Sequence, residues 1–177
     1  SVSNRKLLFL FFIFIQKIFD QIIMTHLQRL SIQGIRSFDP NEPQEIRFFP
    51  LTIIIGPNGA GKTSIIESLK YVTTGMMPPN SNSGKTFIHD VQFIDKSIVR
   101  GQIRLLFTDV EKKPTIITRS MQATLKYLKD KPQITFRQMN AVIKRGNRSI
   151  DQKLADINAE LLELIGVSKA VLNNVIF

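Results

Sequence analysis

Eight consecutive residues, 56–63, read Gly-Pro-Asn-Gly-Ala-Gly-Lys-Thr. This is the spacing of a phosphate-binding P-loop, in which backbone N–H groups and the start of a helix converge on phosphate oxygens. Lys62 is predicted to reach the β- and γ-phosphates, and the Thr63 hydroxyl is predicted to bind Mg²⁺. The sequence therefore predicts a nucleoside triphosphate site.

The residues on either side of this loop agree with that prediction. The apolar, β-branched run 51–55 predicts a buried parallel strand before the loop. A helix is predicted over 64–72, with its apolar positions 65, 66, 69 and 72 on one face. The alternative is a glycine-rich turn before an ordinary helix, and the flanking strand and helix favour the nucleotide site.

Composition limits the possible function classes. The chain has 177 residues, is 43% hydrophobic and suits one domain or part of a larger one. It has no cysteine, which excludes a disulfide framework, a thiol nucleophile and a Cys-based zinc site within these residues. The net charge of +10 indicates a polyanionic partner, although basic domains also occur for solubility alone.

Much of the positive charge lies between residues 112 and 148. The ten cations of this region are Lys112, Lys113, Arg119, Lys126, Lys129, Lys131, Arg137, Lys144, Arg145 and Arg148. Asp130 is the single acid among them. Strands are predicted at 114–120 and 133–136, so the cations are expected on a strand-built surface that neutralises DNA phosphates without reading sequence. The alternative is that these cations only solvate the outer face of a sheet and bind no partner.

The first residues differ from the rest of the chain. Residues 1–23 carry a basic start and a short apolar run over 7–15, too short to span a bilayer, which needs about 20 residues. We interpret 1–23 as a non-native leader before Met24 and assign the domain to 24–177. A secretory signal or a membrane anchor is the alternative, and no small-residue cleavage site follows the run.

The remaining elements follow from periodicity. Antiparallel strands are predicted over 27–35 and 45–49, an exposed loop over 75–84, and a further strand over 97–108. An amphipathic helix is predicted over 149–165, with Asp151 in its first turn and Gly166 at its end. The apolar tail 168–177 has no polar ending, which indicates a truncated chain.

The sequence does not supply a complete hydrolytic apparatus. ATP hydrolysis by P-loop enzymes uses an acid after a second buried strand to hold Mg²⁺. Asp109 is the nearest candidate, but its strand alternates as a half-exposed strand does. His26 and His89 stand alone and are interpreted as structural residues. Catalysis is expected to need residues outside this chain.

An ordered set of segments resembles the Rad-fifty family of SMC-like ATPases that repair DNA double-strand breaks. The P-loop has Asn58 as its third residue, and in this it resembles the P-loops of ABC and SMC ATPases rather than those of kinases or small GTPases. The other segments lie at 31–38, 49–53, 66–71, 86–90, 102–105, 119–121 and 166–177. The resemblance implies an α/β fold, namely a P-loop NTPase of the ABC/SMC type. It implies the N-terminal lobe of the head with an antiparallel β subsheet, truncated before the Q-loop.

The resemblance also implies site residues and cofactors. Arg36 would contact phosphate, and Ile88 and Asp90 would lie against the nucleoside. Arg36 and Asp90 could instead be surface charges, and Ile88 could simply pack. The residues around the phosphates would be Asn58, Gly59, Ala60, Gly61, Lys62, Thr63 and Ser64, with Lys62 and Thr63 acting in catalysis. ATP and Mg²⁺ are the implied cofactors, and zinc is expected only in a hook outside this chain.

The implied function is an ATPase that binds and tethers DNA and regulates a nuclease of the Mre-eleven family through ATP-driven head engagement. Further implied partners are an Nbs/Xrs-type adaptor and a second head, with no membrane partner. The implied setting is the chromosome in the nucleus, in break repair, telomere maintenance and meiosis. The alternatives are a non-catalytic DNA-binding or scaffold fragment, and another SMC-type chromosome ATPase. The basic strands disfavour a transporter ATPase.

Overall fold

A computed structural model describes residues 25–94, 96–129, 131–146, 148–151, 154–168, 170 and 172. The predicted leader 1–23 and most of the tail 168–177 lie outside the described residues.

A single antiparallel sheet of six strands is the main element, in the order β2-β1-β3-β4-β5-β6. Its strands are β1 His26–Gln33, β2 Gln44–Arg47, β3 Ile98–Thr108, β4 Pro114–Leu128, β5 Lys131–Arg145 and β6 Arg148–Asp151. The antiparallel pair β1–β2 and the strand at β3 confirm the sequence prediction. β4 and β5 are much longer than predicted, since each continues through polar and charged residues.

Strict alternation divides the sheet into two faces. Along β3, every second residue from Val99 to Phe107 is buried, and the residues between them are exposed or half-buried. Leu105 faces Ile117 on β4, and Ile117 faces Ile143 on β5, so the cross-strand register aligns one continuous apolar layer. We call this the inner face and the opposite side the outer face.

Two helices cover the inner face: α1 Lys62–Thr74 and α2 Leu154–Ile165. α1 confirms the predicted helix, and three of its four predicted apolar positions pack against the core: Val72 is buried, and Ile65 and Leu69 are half-buried. Ser64, Ser68, Tyr71 and Val72 are buried, whereas Ile66 is 49% exposed. The buried side also includes the small Ser64 and Ser68 and the large Tyr71, so the packed face is wider than the predicted apolar stripe and leaves Ile66 outside it.

The parallel strand predicted over 51–55 is wrong for this structure. These residues form no strand, and Leu51, Ile53 and Ile55 are 81%, 73% and 86% exposed. A strand needs a neighbour for its backbone N–H and C=O groups, and none of the six strands of the sheet pairs with this segment. A row of apolar side chains is left in contact with solvent.

The C-terminal elements also differ from prediction. The helix predicted from residue 149 begins at Leu154, because residues 148–151 form β6 and pair with β5. Ile150 lies opposite Ile143 in this pair, and Asp151 ends β6 rather than opening a helix. The stop at Gly166 is confirmed, since its N–H donates to the Leu162 carbonyl at 2.9 Å.

The loop over 75–84 has no helix or strand, as predicted, but parts of it are buried. Ser81 is 4% exposed, and Gly84 is also buried. The Phe136 ring of β5 lies directly against Gly84, leaving no space for a Cβ, and φ at Gly84 is +97°. Glycine is therefore required at this contact, which fixes the loop to the sheet.

Arg119 of β4 is buried, with 1% exposure, and joins both helices to the sheet. Its Nε donates to the Val72 carbonyl at 2.9 Å, and its Nη2 donates to Asn158 Oδ1 of α2 at 2.6 Å. The guanidinium carbon lies 5.8 Å from the centre of the Tyr71 ring. A cation is favourable at the C-terminal end of α1, where carbonyls lack helical partners. Arg119 is thus a structural residue, contrary to its assignment to the basic surface.

Asp109 organises the turn between β3 and β4. Its Oδ1 accepts from the N–H groups of Glu111 and Lys113 at 2.9 Å, and its Oδ2 accepts from Thr115 at 3.1 Å and from Arg145 Nε at 2.5 Å. Burial alone would raise the pKa of Asp109, but these donors together hold it below its ordinary value. Both carboxylate oxygens of Asp109 accept hydrogen bonds that hold this turn, so the structure does not support Asp109 as a Mg²⁺ ligand.

We expect Arg119→Met to destabilise the fold by about 2–4 kcal/mol, because Val72 O and Asn158 Oδ1 lose their donor in a buried place. Urea unfolding followed by circular dichroism measures the change. Arg137→Met, an equivalent change at an exposed position of β5, is the control and should cost less than about 0.5 kcal/mol. Equal unfolding free energies for the two variants would contradict the role of Arg119.

Asp109→Asn should lower the free energy of unfolding by about 1–3 kcal/mol near neutral pH, because a charged acceptor of several hydrogen bonds is lost. The folded pKa of Asp109 is depressed, so its stabilisation is present above the ordinary value of 3.8 and is lost as the pH falls through the folded pKa. The difference between variant and parent should therefore shrink in acid. Glu42→Gln, at an exposed position, provides the control titration.

Candidate functional site

The P-loop is an open cradle at the start of α1. Gly59 and Gly61 have φ of +84° and +87°, so glycine is needed at both positions. α1 begins at Lys62, no side chain caps it, and its first turn has no acidic residue. Lys62 Nζ donates to the carbonyls of Gly56 and Pro57 at 2.7 and 2.8 Å. The lysine thus closes the loop on itself and lies beside uncapped helix N–H groups, an arrangement that suits an anion.

The exposure of the predicted phosphate contacts differs along the loop. Asn58, Gly59, Ala60 and Thr63 are exposed, while Gly61 and Lys62 are half-buried. Ser64 is 6% exposed and belongs to the side of α1 that packs inward. The structure therefore presents Thr63 to solvent, and Ser64 reaches a ligand only through its backbone.

Residues 35–38 lie next to the cradle. Phe38 packs beside Gly61, where an added Cβ would be 3.7 Å from its ring. Arg36 Nη2 forms an ion pair with Glu67 Oε2 of α1 at 2.7 Å. The Arg36 backbone is fixed to 87–89: its N–H donates to the Phe87 carbonyl at 2.9 Å, and its carbonyl accepts from His89 Nδ1 at 2.6 Å. The prediction that His89 is structural agrees with this contact.

A cavity of about 870 Å³ is lined in part by this segment, through Arg36 and Ser37. Arg36, Ile88 and Asp90 all line it, so the structure brings these three predicted residues together. Ile88 is 2% exposed and also belongs to the core, and Asp90 Oδ1 accepts from the Gln92 N–H at 2.9 Å. Arg36 and Ser37 line the cavity, and the next residue, Phe38, packs beside Gly61 of the cradle. The short segment 36–38 therefore contacts both the cavity and the cradle.

The donors available for a metal ion are few. Among the described residues, no group of three or more His, Cys, Asp or Glu side chains could hold a metal. Thr63 is an exposed hydroxyl at the position that the P-loop pattern assigns to Mg²⁺. A divalent ion at this site would depend on Thr63 together with phosphate oxygens.

The basic region forms part of the outer face. Lys126, Lys131, Arg137 and Lys144 are exposed, and the β4–β5 register places all four on that face. Lys129 lies in the turn between them. Arg145 departs from the predicted surface set, since it pairs with Asp109 and with Glu111 Oε2, the latter at 2.8 Å. These hydrogen bonds raise the pKa of Arg145, and the bond to Glu111 is the largest cause, followed by the bond to Asp109.

Sequence reasoning missed Arg100 and Arg104 of β3. Both are exposed and lie on the outer face, opposite Gln122 and Thr118 of β4. Their alternation with the buried Val99, Ile103 and Leu105 is visible in the sequence and could have identified them. The outer face therefore extends its positive charge across three strands.

No helix in the described part of the chain is long and apolar enough to cross a bilayer.

Comparison with known proteins agrees with this architecture. A family model for the AAA domain matches residues 29–177. DNA repair protein RAD50 of Dictyostelium discoideum is 44% identical over 161 residues, covering 87% of this chain and 12% of that protein. RAD50 of Saccharomyces cerevisiae is 43% identical over 160 residues, with the same coverage of 87% and 12%. The chain thus spans about an eighth of the length of these relatives.

The fold has a counterpart among solved structures. A structure from work on ATP-driven dimerization and DNA stimulated activation of SMC ATPases superposes with a TM-score of 0.58 at 15% identity, covering 86% of each chain. The predicted fold class, an ABC/SMC-type P-loop lobe with an antiparallel subsheet, is confirmed. The chain therefore belongs to the AAA domain family, and its similarity to RAD50 proteins confirms the resemblance to the Rad-fifty family.

Proposed function

We propose that residues 24–177 are the N-terminal lobe of the ATP-binding head of a DNA double-strand-break repair ATPase, with 1–23 as a leader outside that lobe. The proposal rests on an uncapped, glycine-based cradle with Lys62 and a cavity lined by Arg36, Ile88 and Asp90, with the short segment 36–38 in contact with both. A cationic cradle beside a cavity of this size matches the two halves of a nucleoside triphosphate.

The phosphates would lie on the cradle. Backbone N–H groups of 58–64 would donate to their oxygens, and Lys62 would exchange its contacts with the Gly56 and Pro57 carbonyls for the β- and γ-phosphates. Arg36 supplies a second cation from the β1 side, currently neutralised by Glu67. Mg²⁺ would be held by Thr63 and the phosphates and would neutralise the charge that develops during transfer.

Hydrolysis is proposed for the larger protein rather than for this segment. The described residues supply binding groups, and Asp109, the candidate for the missing acid, is occupied in a turn. The proposed activity depends on engagement of two heads around ATP. It serves DNA tethering and control of a Mre-eleven-family nuclease together with an Nbs/Xrs-type adaptor, on chromosomes in the nucleus.

DNA is the proposed ligand of the outer face. Lysines and arginines spaced along antiparallel strands neutralise phosphates without base readout, so binding should be salt-dependent and insensitive to sequence. Glu45, which pairs with Arg29 at 3.1 Å, is a carboxylate on the same face. The surplus of cations there supports contact with a polyanion.

A second candidate function is a non-catalytic DNA-binding or scaffold segment. The exposed apolar residues over 51–55 favour it, because the strand that should support the P-loop is not in a sheet. ATP binding distinguishes the two candidates: the scaffold role requires DNA binding and no nucleotide binding.

Lys62→Ala should weaken ATP binding by about tenfold or more, since a charge-assisted contact to phosphate is lost. Equilibrium dialysis of the full chain with labelled ATP measures the affinity. Lys70→Ala, two turns later on α1, is the matched control and should bind as the parent does. An ATP affinity unchanged by Lys62→Ala would rule out the cradle as the phosphate site.

Replacing Lys126, Lys129 and Lys131 together with glutamine should weaken DNA binding. The slope of log affinity against log salt should fall by about 0.9 for each phosphate contact removed. Fluorescence anisotropy with a duplex over a salt series provides both quantities. A control with the same charge change replaces Lys70, Lys96 and Lys112, which lie on α1, in a loop and in the β3–β4 turn. Identical slopes in the two triple variants would show that the outer face only solvates the sheet.

A further inference from the structure

The P-loop contains the only Asn-Gly pair of the sequence, Asn58-Gly59. Asparagine is a chemically labile residue, because the backbone nitrogen of the next residue can attack its side-chain amide carbon. A following glycine has no Cβ to obstruct this approach. In a folded protein the reaction also needs exposure, a free backbone N–H and room for the chain to rotate.

Asn58 and Gly59 occupy the two central positions of a turn over 57–60. The Ala60 N–H donates to the Pro57 carbonyl at 3.3 Å, and φ at Gly59 is +84°, as at the third residue of a type II turn. The hydrogen bond that closes such a turn leaves its central peptide group unused. Among the described residues, neither the Gly59 N–H nor the Asn58 side chain forms a hydrogen bond. The attacking nitrogen and the attacked amide are therefore both free.

The turn also has space to rearrange. Asn58 and Gly59 are both exposed, and a Cβ added at Gly59 would meet nothing within 4 Å. No packed neighbour opposes the rotation that brings the Gly59 nitrogen onto the side-chain carbon of Asn58. All three conditions for the reaction are thus met at this pair.

The other asparagines in the described ranges each lack one of these conditions. The side-chain oxygens of Asn41 and Asn158 accept hydrogen bonds, and Asn140 lies within the strand β5. Asn80 and Asn82 are exposed, but each precedes a serine, whose Cβ obstructs the attack. The reactive position is therefore in the phosphate cradle.

We propose that Asn58 is a site of spontaneous deamidation and that this modification disables the phosphate cradle; the second part rests on the proposed ATP-binding function. The Gly59 nitrogen forms a bond to Asn58 Cγ, and its proton leaves with the side-chain NH₂ as ammonia, which gives a cyclic imide. Water then opens the ring at either carbonyl and leaves an aspartyl or an isoaspartyl residue. The reaction consumes one water molecule and needs no oxidant or reductant.

Either product places a carboxylate where backbone donors and Lys62 would meet phosphate oxygens, and like charges at such short range repel. The isoaspartyl product also lengthens the main chain by one carbon atom and displaces the donors that follow it. A bound phosphate has the opposite effect, because it accepts from the Gly59 N–H and restrains the turn. The ligand of the cradle thus protects the cradle from the modification.

Peptide mass spectrometry of the full chain, sampled during incubation at neutral and mildly alkaline pH, measures the conversion, because replacing NH₂ by OH raises the mass. Asn58 should convert faster than Asn82, the exposed asparagine before a serine, which is the control within the same molecule. Inorganic tripolyphosphate at about ten times its Kd should slow the conversion of Asn58 by about tenfold, since only the free loop reacts. Conversion of Asn58 no faster than that of Asn82, or unchanged by bound tripolyphosphate, would overturn the inference.

Equilibrium dialysis with labelled ATP measures the consequence. The converted chain should bind ATP about tenfold more weakly or worse, and Asn58→Asp should show the effect of the aspartyl product directly. Asn58→Ser keeps a small polar side chain but cannot form the imide, so its aged and fresh samples should bind ATP equally, whatever its initial affinity. An equal loss on ageing in this variant and in the parent would contradict the second part. If the fresh parent bound neither ATP nor tripolyphosphate, the proposed ATP-binding function would fail, whereas the conversion of Asn58 would still be measured by mass.

Discussion

The buried guanidinium of Arg119 is the contact on which the arrangement of this molecule depends. A charge with 1% exposure is tolerated only when its donors are satisfied, and here the partners come from two helices rather than from a carboxylate. Burial lowers the pKa of Arg119, while the neighbouring Tyr71 has its own pKa raised by burial. By holding the Val72 carbonyl and Asn158 at once, one side chain sets the distance from the sheet to the end of α1 and to α2.

This contact determines where the candidate site lies. α1 is fixed at its C-terminal end, so its N-terminal end, with the cradle and Lys62, projects towards residues 35–38. The Arg36–Glu67 ion pair then ties the middle of the same helix to the segment after β1. The P-loop cradle is thus supported by the packing of α1, and the start of this helix has no side-chain cap.

Sequence reasoning predicted the local elements better than the packing between them. The P-loop, the β1–β2 pair, the strand at β3 and the stop at Gly166 could be predicted, because each depends on local spacing or on a single residue type. The exposed state of 51–55 could not be predicted, since burial of a strand depends on a neighbour that the local sequence does not specify. Arg119 and Arg145 were assigned to a basic surface, because charge alone does not distinguish a solvated cation from one that faces helix carbonyls or a buried carboxylate. Arg36, Ile88 and Asp90 could be selected only by resemblance, and the cavity that joins them is a property of the tertiary structure.

The exposed segment 51–55 affects how the molecule behaves in solution. Leu-Thr-Ile-Ile-Ile has no charge, no proline and high β-propensity, and its backbone has no ladder partner in the sheet. Such a segment pairs readily with identical segments of other molecules and begins self-association. The net charge of +10 opposes this by mutual repulsion, and salt weakens that repulsion. Added salt therefore favours self-association through this segment, and dilute, low-salt solutions oppose it.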